Sequence, residues 1–160
     1  MTADPEAPLL PVEPGYINVL RARLALAWGL LTLAAMIFDQ AVVRGSPAYG
    51  ALTVAMPLFA LIAIGAAPRR IYRHLHYRLT DRLLQSVHGW MFHTDTLVPF
   101  VRVQHIDVTR GPLDKMFGTA SLVVHTAGTH NSIITVNGLA PDKANSIRDT
   151  IREHIRSDVE

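Results

Sequence analysis

Residues 45–68 read GSPAYGALTVAMPLFALIAIGAAP, a stretch without one charged side chain. Its centre, 49–67, would form a helix about 28 Å long at about 1.5 Å per residue, close to the roughly 30 Å of a bilayer's hydrocarbon core. Lipid offers no hydrogen-bond partner to a backbone N–H or C=O, so a run of this kind must satisfy itself as a helix. Pro57 is expected to kink it. Toward the N-terminus, 24–38 is also uncharged, and the apolar run extends to Val43 with Asp39 and Gln40 near one end. The two runs predict a transmembrane hairpin over residues 21–68, with spans at about 24–43 and 49–67.

Neither a cleaved signal nor a buried soluble hairpin fits these runs as well. A secretory signal starts basic, whereas the residues before Arg21 include Asp4, Glu6 and Glu13. A helical hairpin buried in a soluble protein carries a polar stripe, and neither run has one. The charges are unevenly placed: of the 28 Asp, Glu, Lys and Arg residues, 7 fall in the first 68 positions and 21 in the last 92. Arg21 and Arg23 precede the first run, and Arg69, Arg70 and Arg73 follow the second. Arg44 stands alone between them, offset by Asp39. By the bias of basic residues toward the cytoplasm, both termini of this multi-pass chain are expected on that side.

Residues 1–20, with Pro5, Pro8, Pro11 and Pro14, read as a flexible tail. From 69 to 160 the pattern becomes short alternating runs broken by turn residues, a cytoplasmic domain rich in strands. Val101-Arg102-Val103 and Ile106-Asp107-Val108 alternate out of phase, so a bulge is expected near Gln104-His105. Gly111-Pro112 ends that strand, and 113–117 makes a short helical turn. Leu122 to His125 and Ile133 to Val136 bracket Gly128 to Asn131, a hairpin candidate. Pro141 and Asp142 suit the start of a last helix whose Ala144, Ile147, Ile151 and Ile155 share one face. Strands followed by one amphipathic helix predict an α+β fold, a small barrel or sandwich with the helix covering an open end.

Taken in order, Val98-Pro99, Arg102 to Ile106, Gly111-Pro112-Leu113, Phe117-Gly118, Leu122, Thr126-Ala127-Gly128 and Gly138-Leu139 resemble the bacterial pleckstrin-homology-like membrane family of the YdbS-like type. The similarity covers about residues 79–155, and two preceding spans match the family's layout. The resemblance implies a pleckstrin-homology-like β-barrel capped by its C-terminal helix, at the bacterial cytoplasmic (inner) membrane. It implies no catalytic activity and no agreed ligand.

The chemistry of the sequence points the same way. With no cysteine, disulfides, thiolate metal sites and Cys nucleophiles are excluded. A net charge of +2 does not argue for nucleic acid. His74 and His76 would share a strand face, but no acidic residue in that segment completes a metal site. Ser86 and Ser121 lack a nucleophile elbow, and Asp95, Asp107 and Asp114 share no spacing. The expectation is a protein without catalytic residues, metal or cofactor. Instead, a membrane-tethered binding module is expected to dock a larger membrane protein or a second copy of itself. Arg102, Gln104, His105, Leu113 and Phe117 are the candidate partner contacts. The alternative is a sensor of anionic lipid headgroups through Arg69, Arg70, Arg73 and Arg78.

Overall fold

The computed structural model describes residues 8–80, 82–89, 94–127 and 133–157. The chain divides into two compact units, one of Ile17–Arg70 and one joining the chain up to Tyr16 with Ile71 onward.

The first unit is helical. Helix α1 spans Tyr16–Phe38 and continues as a π-helical turn over Asp39–Val43; α2 spans Ala51–Arg73 and runs on through Pro57 and Pro68. Both helices are long and apolar enough to cross a membrane. Their apolar side chains face outward: Leu30 and Leu61 are each 70% exposed. Asp39 does the opposite and is buried. Its Oδ2 accepts from the Thr53 backbone N–H at 2.9 Å and from the Thr53 hydroxyl at 2.7 Å. Thr53 lies in the first turn of α2, where backbone N–H groups lack acceptors of their own. A carboxylate there supplies the missing acceptor and meets the positive end of the helix dipole. Asp39 is thus a cap for the neighbouring helix.

The second unit is built on strands. Strands β1 (Leu10–Pro11), β2 (His76–Leu79), β3 (Leu83–His88) and β4 (Thr94–Pro99) form one antiparallel sheet in that order. Strands β5 (Val103–Thr109), β6 (Ala120–Thr126) and β7 (Ile133–Leu139) form a second. A short helix α3 (Pro112–Met116) joins β5 to β6, and α4 (Pro141–Ser157) ends the fold. Leu84 and Val98 from the first sheet, Leu122, Val124, Val136 and Leu139 from the second, and Ala144, Ile147 and Ile151 of α4 are all buried. Each such Leu, Ile or Val side chain contributes about 1.5–3 kcal/mol by leaving water. Helix α4 packs on β5, β6 and the 3₁₀ turn Phe100–Arg102, where His154 meets the buried Phe100 edge-to-face at 5.7 Å between ring centroids.

Two expectations need correction. The tail predicted over 1–20 is ordered from Leu10 onward; residues 1–7 lie outside the described residues. Leu10 pairs with Tyr77 and Pro11 with His76, an edge position that spares Pro11 a missing N–H. Val12 and Tyr16 are buried, the Glu13 N–H donates to the Gly138 carbonyl at 2.7 Å, and the Tyr72 hydroxyl donates to the Val12 carbonyl at 2.9 Å. Gly138, at φ +77°, admits Tyr16 so closely that a Cβ there would lie 2.6 Å from the ring. The second correction concerns closure. Among the described residues the strands make two separate sheets, not one hydrogen-bonded ring. The first sheet stops at Pro99, which lacks an N–H, and the chain then turns through a 3₁₀ corner before β5 begins.

Candidate functional site

The phase break in the sequence marks a real irregularity. Val103 faces Thr126 across the β5–β6 pair, yet His105 already faces His125, so Gln104 is the extra residue of a bulge. The Arg102 carbonyl accepts from the Ala127 N–H at 2.9 Å, which fixes the chain just before it. Arg102, Gln104 and His105 are all exposed. Beyond the bulge, His105 and Asp107 share a face, and His125 lies opposite His105. The His105 Nε2 is 2.9 Å from one Asp107 oxygen and the His125 Nε2 is 3.7 Å from the other. The two imidazoles lie 5.9 Å apart, tilted by 50°. Exposed pairs of this kind contribute at most about 1 kcal/mol to stability, so the cluster is a surface for polar contacts and not a structural brace. Among the described residues, no three ligand-type side chains are arranged to hold a metal ion.

Leu113 and Phe117 do not join this patch. They flank α3, which follows the far end of β5, and seven strand residues at about 3.3 Å each set the two ends about 20 Å apart. Both side chains are half-buried. The α3 corner serves the fold: buried Asp114 accepts from the Gly111 N–H at 3.1 Å and from the Thr119 hydroxyl at 2.8 Å. Gly15 packs against the Phe117 carbonyl so tightly that a Cβ would come within 2.5 Å of its oxygen. Of the arginines, Arg69, Arg70 and Arg73 occupy the exposed end of α2, while Arg78 is half-buried on β2.

A second feature was not visible in the sequence. A cavity of about 390 Å³ opens between β7 and the sheet of β2, β3 and β4. Leu84, Ser86 and His88 alternate onto one face of β3, and Val98, Thr96 and Thr94 lie directly across from them on β4. That face therefore runs from apolar core at Leu84 and Val98 to hydroxyl and imidazole groups at the cavity. Residues 133–137 of β7 line the opposite wall in unbroken succession. Tyr77 sits nearby on β2; burial first, and the Glu13 carboxylate second, raise its hydroxyl above the ordinary tyrosine range. Asp107 and His125 were also missed as companions of His105, because only the register across the bulge pairs them. The phase break was the available signal.

Comparison with known proteins gives two findings. The sequence model of the bacterial PH domain matches residues 22–155. The chain is also similar to the UPF0699 transmembrane protein YdbS of Bacillus subtilis (strain 168), at 29% identity over 102 residues, covering 64% of this chain and 62% of that protein. The match thus spans less than two thirds of that relative's length. Neither description names an enzymatic activity. No solved structure matches the chain.

Proposed function

This chain belongs to the bacterial PH domain family, in its YdbS-like membrane branch, and from that premise we propose that it is a membrane-tethered docking module. In this reading α1 and α2 cross the bacterial cytoplasmic membrane as a hairpin with both chain ends in the cytoplasm. The strand-rich domain, a pleckstrin-homology-like barrel left open between its two sheets, then receives a protein partner: a larger membrane protein or a second copy of the chain. The observation that supports docking most directly is the set of strand edges that, among the described residues, have no partner strand between the two sheets. Such edges accept an added strand through backbone hydrogen bonds. The exposed Arg102, Gln104 and His105 beside the bulge offer polar contacts for orientation. Confinement to the bilayer raises the effective concentration for any membrane partner. No catalytic step or cofactor is assigned. Extraction of native membranes in a mild detergent tests the reading: a stable complex is expected, and a monomer alone contradicts it.

A second reading rests on the exposed Arg69, Arg70 and Arg73 at the end of α2. Anionic headgroups would gain about 1 kcal/mol per arginine held near the surface. Replacing the three by Gln should then abolish any thermal stabilisation of the full chain by anionic over neutral bilayers. An unchanged difference removes this reading.

A further inference from the structure

We propose that the docking site is the open edge of β7, and that its occupant is an uncharged, extended peptide segment of a protein partner with small hydroxyl and aliphatic side chains. The inference rests on the docking reading above and gives it a location. Among the described residues strand β7 pairs only with β6, so alternate backbone groups along residues 133–137 point away from the sheet toward the cavity. Among the described residues, the one backbone bond to its outer side is from Glu13 to Gly138, at the end of the strand. The chain's own N-terminal segment thus stitches the two sheets at that end, with Val12 lining the cavity there, and leaves the rest of the edge open. Buried backbone groups without partners are costly, so an open edge beside a cavity is a site for a strand.

The far wall defines the chemistry of the occupant. Ser86 is 4% exposed and lines the cavity, so its hydroxyl belongs to the wall of the space. Thr96 lies across from it, and Ile134 and Val136 supply apolar surface. Among the described residues no Asp, Glu, Lys or Arg lines the space, so a charged side chain inserted there would find no carboxylate, ammonium or guanidinium partner. Short hydroxyl and aliphatic side chains match both walls.

The test uses the full chain in lipid nanodiscs with a blocked pentapeptide of alternating threonine and valine, and its twin N-methylated at both valines. The twin keeps every side chain but loses edge donors. The unmodified peptide should bind at least about tenfold more tightly than the twin and slow amide exchange in residues 133–137. Ser86→Leu, which fills the cavity from the opposite sheet, should weaken binding by about tenfold while leaving exchange in α4 unchanged. Equal binding of the twins, unchanged β7 exchange, or no binding overturns the proposal. Photo-crosslinkers at Thr135 and His105 in native membranes separate this failure from failure of docking itself. A crosslink to another protein from His105 alone removes the β7 site and keeps docking, and none from either position removes both. At Thr135, a crosslink to a second copy or to residues 1–7 replaces the proposed occupant and overturns the proposal.

Discussion

The helical pair and the strand-rich domain obey opposite rules of burial. In the domain, Leu122 and Ile151 are fully enclosed; in the helices, Leu30 and Leu61 stand open and the carboxylate of Asp39 is hidden. Only 6% and 11% of the two most apolar windows are buried, whereas the core helix of a soluble protein would be mostly covered. One solvent cannot favour both arrangements. The domain is organised against water, and the helices, long and apolar enough to cross a membrane, have the exposure pattern that hydrocarbon favours.

Substitutions of the same kind in the two regions should therefore diverge. Leu122→Ala should destabilise the domain by about 2–5 kcal/mol, measured by thermal or denaturant unfolding, because it leaves a hole in a packed core. Leu61→Ala should change the stability of the helical pair very little, since lipid is as apolar as the side chain removed. Leu61→Lys should oppose insertion by about 3–4 kcal/mol, read as the fraction of chain integrated into membranes. Comparable losses for Leu122→Ala and Leu61→Ala would break the contrast.

Gly138→Ala probes the stitch between the N-terminal segment and β7. A left-handed backbone costs a β-carbon about 1–2 kcal/mol, and collision with Tyr16 adds about 1–3. Unfolding of the domain should register a loss of about 2–5 kcal/mol. If Leu10 to Tyr16 were a loose tail, only the backbone part would remain. Asp39→Ala should cost the helical pair about 1–2 kcal/mol through the lost cap, as should Thr53→Val in smaller measure, with the domain's melting unchanged. Crosslinking between paired cysteines on α1 and α2 reads this effect directly.

The smallest effect concerns pH. The folded-state pKa of Tyr77 is raised, first by burial and second by Glu13, so its neutral form is favoured in the folded domain. The corresponding stability is fully present below pH 10 and is lost as pH rises past 10 through the raised folded value. Tyr77→Phe should flatten that alkaline decline and leave stability near neutrality little changed. A decline that persists unaltered would assign it to different groups.

Much of this was legible in the residues. Uniform apolarity over 45–68 needs no tertiary information, and the face formed by Ala144, Ile147 and Ile151 is fixed by helical spacing alone. The bulge at Gln104 showed as a change of phase. What sequence could not give were facts of register and proximity. Leu10–Pro11 is too short to carry a strand pattern, and it is a strand only because Tyr77 and His76 lie beside it. The pairing of Asp39 with Thr53 spans 14 residues between two helices. The candidate contacts Leu113 and Phe117 fell near Gln104 in sequence, but an intervening strand carries them to the other end of the sheet. The cavity beside β7 depends on where two sheets fail to meet, which no local pattern records. Gly128 to Asn131 lies outside the described residues, although the strands on either side pair as expected.

Because the chain has no cysteine of its own, single cysteines at Leu30, Leu61 and His105 offer the most direct trial of the contrast between the two regions. The measurement is labelling by a water-soluble maleimide in opened membrane vesicles. Rapid labelling at 105 with none at 30 or 61 until detergent is added is the expected result. Labelling at 30 or 61 as fast as at 105, in intact bilayers, would mean that these helices lie in water.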